Sequence, residues 1–254
     1  MRRPYSTHQS DLIQMKKHVL LLLLGLCLSG LYSSAFAQVQ LSTSIFYGSP
    51  YVWRGQVLST GFVFQPTVTA SYQSFSLSFF GNLDPDAGEV ARFNEADLTA
   101  AYAIEMDDVS IGAGYTFYTF PTPTDGELEF LPTQEVFASV GFSGIPLQPS
   151  LFAAYDFDTM DGLYAQAAIG EDVTIGGQAF TLGASLGLDS NFLFEDRTAL
   201  SSLGLTVGTS FSTGFLEISP LIGFQIALDD VYEAQARAFG HNGTVFWGGI
   251  GISF

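Results

Sequence analysis

The chain has 254 residues, of which 47% are hydrophobic and only 13% charged, with a formal net charge of −17 at pH 7. That charged fraction is about half of what a soluble globular domain carries, which argues against an ordinary water-facing surface. The acidity argues against nucleic acid and anionic membrane surfaces as partners, because both are repelled.

From Met15 the sequence reads Lys16-Lys17, then an apolar core from Val19 to Leu31, then Ser34-Ala35-Phe36-Ala37. This order predicts a signal peptide over residues 1–37, cleaved before Gln38, with residues 1–14 read as an extension ahead of the natural start. Cys27 lies in the apolar core behind Leu26, where a lipoprotein site wants a small residue, so lipidation is not expected. The mature chain then lacks cysteine and can form neither disulfides nor a thiolate metal site. Cleavage keeps four of the eight basic residues and 24 of the 25 acidic ones, a net charge of about −20, and no lysine remains. Such a balance favours cations, or a salt-rich setting that screens the repulsion. Past the leader no run reaches the roughly 18–20 apolar residues of a spanning helix, so a membrane protein of this composition must be a closed barrel.

Residues 38–254 form a succession of segments with period-two alternation, separated by Gly, Pro, Asp and Asn clusters, which is the pattern of a transmembrane barrel. The first strand sets Val39, Leu41, Ile45 and Tyr47 against Gln40, Ser42 and Ser44. The second alternates Phe62, Phe64, Val68, Ala70 and Tyr72 with Gln65, Thr67, Thr69 and Ser71. Next come Phe75, Leu77, Phe79 and Leu83, then Leu98, Ala100, Tyr102 and Ile104 opposite Glu95, Asp97 and Thr99. Strands five to eight centre on Ile111, Ala138, Ala153 and Ala165; four more cover Phe180 to Leu188, Leu203 to Phe211, Leu216 to Leu228 and Phe246 to Phe254. The prediction is an all-β, up-and-down antiparallel barrel of about 12 strands, with 10 or 14 as alternatives, both termini periplasmic, and no segment free to act as a plug.

Short connections at Gln73, Met106 to Asp108, Gly144 to Leu147, Gly176-Gly177 and Ser212 to Gly214 alternate with longer, more acidic ones. The latter are Gly48 to Gly61, Asp84 to Arg92, Pro121 to Pro132, Asp156 to Gly162, Ser190 to Leu200 and Asp229 to Gly243. Chain parity puts the acidic set outside the cell. Phe254 ends the chain after alternating apolar positions, like the assembly signal read by the barrel-insertion machinery. That machinery and outer-membrane lipids are the expected partners, the bacterial outer membrane the expected location.

The stretch Ser49-Pro50-Tyr51-Val52-Trp53-Arg54-Gly55, followed by Ser59, Gly61 and Gln65-Pro66, resembles the opening of a family of outer-membrane porins (TorF-like, Gcw_chp-like) that begin with an aromatic-x-Arg-Gly step. The resemblance covers mainly the first two strands and implies a porin barrel. The Val52-Trp53 pair before the arginine and the heavy acidity depart from the family's commonest form.

If the alternation of the first strand continues past Tyr47, Tyr51 and Trp53 face lipid while Arg54 faces the lumen near the outer mouth. Gln65 and the inward Glu95, Asp97 and Glu135 belong with it as pore-lining candidates. An arginine facing carboxylates makes either a constriction whose transverse field favours cations or a lumenal ion pair that pins the first loop to the wall. Small polar residues on the inward face leave room for water, although Phe46, Phe80, Phe137 and Phe152 share that face. Asp84 and Asp86, and Asp156, Asp158 and Asp161, are weak divalent-cation candidates through oxygen ligands, but none has the spacing of a dedicated loop. No cofactor is expected. His241, the lone histidine after the leader, has no serine in its own loop, so an outer-membrane hydrolase is the least favoured reading. The preferred function is a passive channel for small hydrophilic solutes or cations, and the alternative a non-conducting structural or interaction barrel with acidic outer loops.

Overall fold

Apolar residues at every second position cannot be buried by one sheet in water, but they need not be when the outer solvent is lipid. The computed structural model describes residues 39–86, 93–124, 127–193 and 196–254, and the expected leader lies outside the described residues. The wall runs through β1 (Gln40–Ser49), β4 (Val63–Tyr72), β5 (Phe75–Leu83), β6 (Phe93–Met106), β7 (Val109–Thr124), β8 (Glu127–Phe142), β9 (Ser150–Asp156), β10 (Gly162–Ile175), β11 (Gln178–Ser190), β12 (Thr198–Thr209), β14 (Glu217–Ala227) and β15 (Thr244–Ser253). Each pairs antiparallel with its neighbour in chain order, and β15 pairs with β1, for example Ile45 opposite Ile252. Twelve strands therefore close without a free edge, as expected from the alternation. A short β13 (Phe211–Ser212) prolongs the β12 side of the ladder against β14.

Leu41, Phe75 and Phe246, exposed at 69%, 60% and 63%, typify an outer surface that is apolar on every strand. Such a continuous apolar face suits the hydrocarbon of a bilayer. A ten-residue strand rises about 33 Å, and at a tilt of roughly 40° spans about 25 Å, the height of the apolar band of such barrels. The inward face carries hydrogen-bonded polar pairs: Thr69 with Ser78 at 2.8 Å, and Thr99 with Thr116 at 3.1 Å.

Three expectations are corrected. First, Pro121 to Pro132 is not a loop: β7 and β8 stay paired as far as Thr124 opposite Glu127. β6 leaves β7 beyond Thr119, and the β8–β9 ladder ends at Glu135, so the outer part of this hairpin stands as a two-stranded ribbon. Its prolines fall on alternate cross-strand pairs, Thr119–Pro132, Pro121–Phe130 and Pro123–Leu128. An antiparallel ladder alternates pair types, so all three occupy the type that needs no donor from them.

Second, the alternation of β1 does not continue past Tyr47 into Tyr51 and Trp53. Ser49 ends β1, Pro50 offers no N–H to continue the ladder, and the chain turns inward as a hairpin of β2 (Tyr51–Trp53) and β3 (Gln56–Ser59). Trp53 lies against Tyr118 and Phe192, both at 5.8 Å between ring centroids, rather than in lipid.

Third, the connection from Asp229 to Gly243 folds as helix α1 (Asp230–Ala238), which packs on β3 through a small core of Val57, Ala236 and Val245 with Val52 beside it. Hairpin and helix pack together, with Gln235 bonded to Val57 across them.

Candidate functional site

Arg54 and Gly55 are the central residues of the two-residue β2–β3 turn, at φ 49° and 94°. A tight hairpin of this kind needs φ > 0 at both positions, and for a non-glycine residue that conformation costs about 1–2 kcal/mol. Gly55 is required twice over, because a Cβ there would press on the Tyr232 ring of α1. The strained turn places the Arg54 guanidinium inside the barrel, its side chain 8% exposed, against Glu135 at 2%. Nη1 donates to Oε2 at 2.7 Å and Nη2 to Oε1 at 2.8 Å. The Tyr118 hydroxyl donates to the same Oε1 at 2.8 Å.

Four aromatic rings surround the cation. The guanidinium carbon lies 4.5 Å from the Trp53 ring centroid, 4.8 Å from Phe192, 5.0 Å from Tyr164 and 5.7 Å from Phe152. Such contacts contribute about 0.5–2 kcal/mol each, most where water is excluded. A planar, bidentate ion pair packed between ring faces is the geometry in which arginine is favoured over lysine.

Of the predicted pore-lining residues, Arg54 and Glu135 meet directly, whereas the other three stand apart from the guanidinium. Gln65 donates to Asn82 at 3.0 Å, and Asn82 donates to Asn94 at 2.7 Å, which makes an amide chain along the wall. Glu95 lies beside the Tyr51 phenol. Burial, then the charge of Glu95, hold that phenol well above its usual range. Asp97 sits cross-strand from Tyr118 and within electrostatic reach of Glu95 and Glu135. It is 8% exposed, and its Oδ1 is buried with no hydrogen-bond partner.

The predicted divalent candidates cap turns. Asp84 accepts the Asp86 amide at 2.9 Å. Asp156 accepts the Thr133 hydroxyl at 2.6 Å and the amides of Asp158 and Met160 at 3.0 and 3.1 Å. Asp158 accepts Gln134 Nε2 at 2.7 Å, and Asp161 the Tyr155 hydroxyl at 2.8 Å. Among the described residues no group of three or more acidic, His or Cys side chains is arranged to hold a metal. Phe254 pairs with Thr43 across the closing seam, its N–H donating at 3.1 Å. His241 follows α1, its backbone N–H donating to Ala236 at 2.9 Å.

Sequence reasoning missed Asp189, Phe192, Tyr232 and Gln235. Asp189, inward near the end of β11, accepts the amides of Phe192 and Leu193 at 2.9 and 3.1 Å and the Tyr232 hydroxyl at 2.5 Å. Burial first, then the bond to Asp189, raise the Tyr232 phenol, so it remains a donor. Gln235 clasps β3 from α1, its Nε2 donating to Val57 O at 2.7 Å and its Oε1 accepting Val57 N–H at 3.1 Å. The helix itself did leave signals: Asp229 as N-cap, Asp230 and Glu233 in the first turn, Arg237 in the last.

Asp229 accepts the Val231 amide at 2.9 Å and pairs with Arg197. Burial raises its pKa, but the bonds from Arg197 and Val231 outweigh burial and leave it below the usual value. A carboxylate with a depressed folded pKa contributes stability that is present above its unfolded pKa and fades as pH falls through the folded one. Docking of α1 is therefore expected to weaken below about pH 4. Asp229→Ala is expected to remove this pH step and to cost about 0.5–2 kcal/mol of helix stability at neutral pH, as read by amide exchange of residues 230–238.

The sequence matches no protein-family model and no curated protein. Among solved structures the chain is similar to the NanC porin, at 13% identity and TM-score 0.49, over 85% of this chain and 99% of that one. It is similar to OmpF of Salmonella typhi, solved with daunomycin, at 6% identity and TM-score 0.40, over 85% and 97%. It is similar to OccAB3 of Acinetobacter baumannii at 11% identity and TM-score 0.40, covering 87% of this chain but 66% of that one.

Proposed function

We propose that the protein is a bacterial outer-membrane channel for small hydrophilic solutes with a preference for cations, closed in this conformation by the β2–β3 hairpin and α1. The observation that carries the reading is the excess of acidic over basic side chains inside the loop-side mouth. Glu95, Asp97, Glu135, Asp156 and Asp189 are buried there, and among the described residues Arg54 alone is seated among them as a cation. Rings of lumenal carboxylates select cations in channels generally, and small polar residues line the wall below. In this reading both termini face the periplasm, Phe254 serves assembly, and the acidic loops face outward.

The filled mouth favours a second reading, a non-conducting barrel that presents its acidic loops to ions or partners. Single-channel recording of the refolded mature chain under a salt gradient separates the two. The expected result is cation-selective steps whose selectivity falls severalfold in Glu95→Gln/Asp97→Asn. A folded barrel that never conducts removes the channel reading and leaves the second.

A further inference from the structure

Arg54 is not part of the barrel wall; it is carried into the wall's surroundings by a hairpin that enters from the mouth. What receives it belongs to other elements: Glu135 on β8, Phe152 on β9, Tyr164 on β10 and Phe192 in the connection after β11. A carboxylate backed by three aromatic faces is a recognition site for a flat or alkylated organic cation. We infer that this cage is a binding site for the guanidinium or alkylammonium group of a solute, and that Arg54 is its tethered occupant, displaced when such a solute arrives.

Three features support exchange. The occupant sits at the tip of a hairpin that forms a separate two-stranded sheet, so it can leave the cage without a break in the barrel wall. The neighbouring Asp97 keeps an unpartnered buried oxygen, so the mouth offers a free acceptor even with Arg54 seated. That acceptor gives an incoming N–H donor a first contact before Arg54 has left. The bidentate pairing with Glu135 prefers a planar donor pair, so guanidinium compounds are favoured over alkali ions of equal charge.

Transport of such a solute rests on the channel reading, whereas occupation of the cage is measured without current, so the two failures are separable. Isothermal titration of ethylguanidinium chloride into the refolded mature chain in detergent is the direct test, with sodium chloride as the control. Arg54→Ala, which empties the cage, is expected to bind ethylguanidinium at least tenfold more tightly than the parent chain, and Arg54→Ala/Glu135→Gln to lose that gain. Hydrogen exchange of residues 51–59 in the unsubstituted chain supplies a second measurement that does not depend on a variant folding. Protection of the hairpin is expected to fall with millimolar ethylguanidinium and not with sodium. Equal binding by all three chains, or no change in exchange, overturns the assignment.

Discussion

Glu135→Ala is expected to release the β2–β3 hairpin from the barrel mouth while the wall stays closed. The substitution removes the acceptor of both Arg54 bonds and of the Tyr118 hydroxyl. It leaves a nearly buried guanidinium with no counter-charge, a change that costs about 3–5 kcal/mol. Against this stand the two Gln235–Val57 bonds and a small apolar contact with α1. Each such hydrogen bond contributes about 0.5–1.5 kcal/mol net. The penalty is therefore comparable with these contacts, leaving the hairpin on the ring contacts of Trp53 and Arg54 alone, and the docked state is expected to lose its dominance.

Trypsin reads this directly, because after Gln38 the chain has only Arg54, Arg92, Arg197 and Arg237 as cleavage sites and no lysine. The folded parent chain is expected to resist cutting after Arg54, and Glu135→Ala to be cut there within minutes while still migrating as a folded barrel on an unheated gel. Glu135→Gln, which keeps one acceptor oxygen, should fall between them. Resistance equal to the parent in the alanine variant would mean that the hairpin is held by the Trp53 ring contacts and the apolar contact with α1, not by the ion pair.

The wall was legible because alternation repeats in every strand and depends only on which side of the backbone a residue lies. Ile45, Leu98, Ala153 and Phe246 could be assigned outward, and Glu95, Asp97 and Glu135 inward, without knowing their neighbours. The same parity put Glu135 inside, and Arg54 does meet it, although by way of the hairpin and not of the β1 alternation. It failed where the chain leaves the ladder. Parity has no meaning across Pro50, so Tyr51 and Trp53 were assigned to lipid although they turn into the mouth. Pro121, Pro123 and Pro132 read as loop residues, because a sequence does not reveal that they share the pair type needing no donor. The helix was legible in its capping residues but hidden by its shortness. The meeting of Asp189, Phe192 and Tyr232 had no local signal, since 43 residues separate Asp189 from Tyr232.

Asp189→Ala is expected to loosen two segments at once, the connection bearing Phe192 and helix α1. The Asp189 carboxylate is buried and accepts three donors, two from the backbone that follows it and one from Tyr232 on the helix. With it gone, the amides of Phe192 and Leu193 lose their acceptor, at about 1–3 kcal/mol each where they stay buried. The Tyr232 hydroxyl loses the bond that orients α1 over Gly55. Phe192 supplies one face of the Arg54 cage and Tyr232 packs on the turn beneath it, so both arms of the damage converge on the hairpin. Hydrogen exchange should show residues 191–193 and 230–238 losing protection together, with residues 51–59 following, while the β4–β5 wall is unchanged. Tyr232→Phe should expose the helix alone, and its effect in the Asp189→Ala background should be much smaller than in the parent, because the shared acceptor is already absent. If the two segments respond independently, with additive effects in the double variant, Asp189 is not the joint through which the mouth closes as one unit.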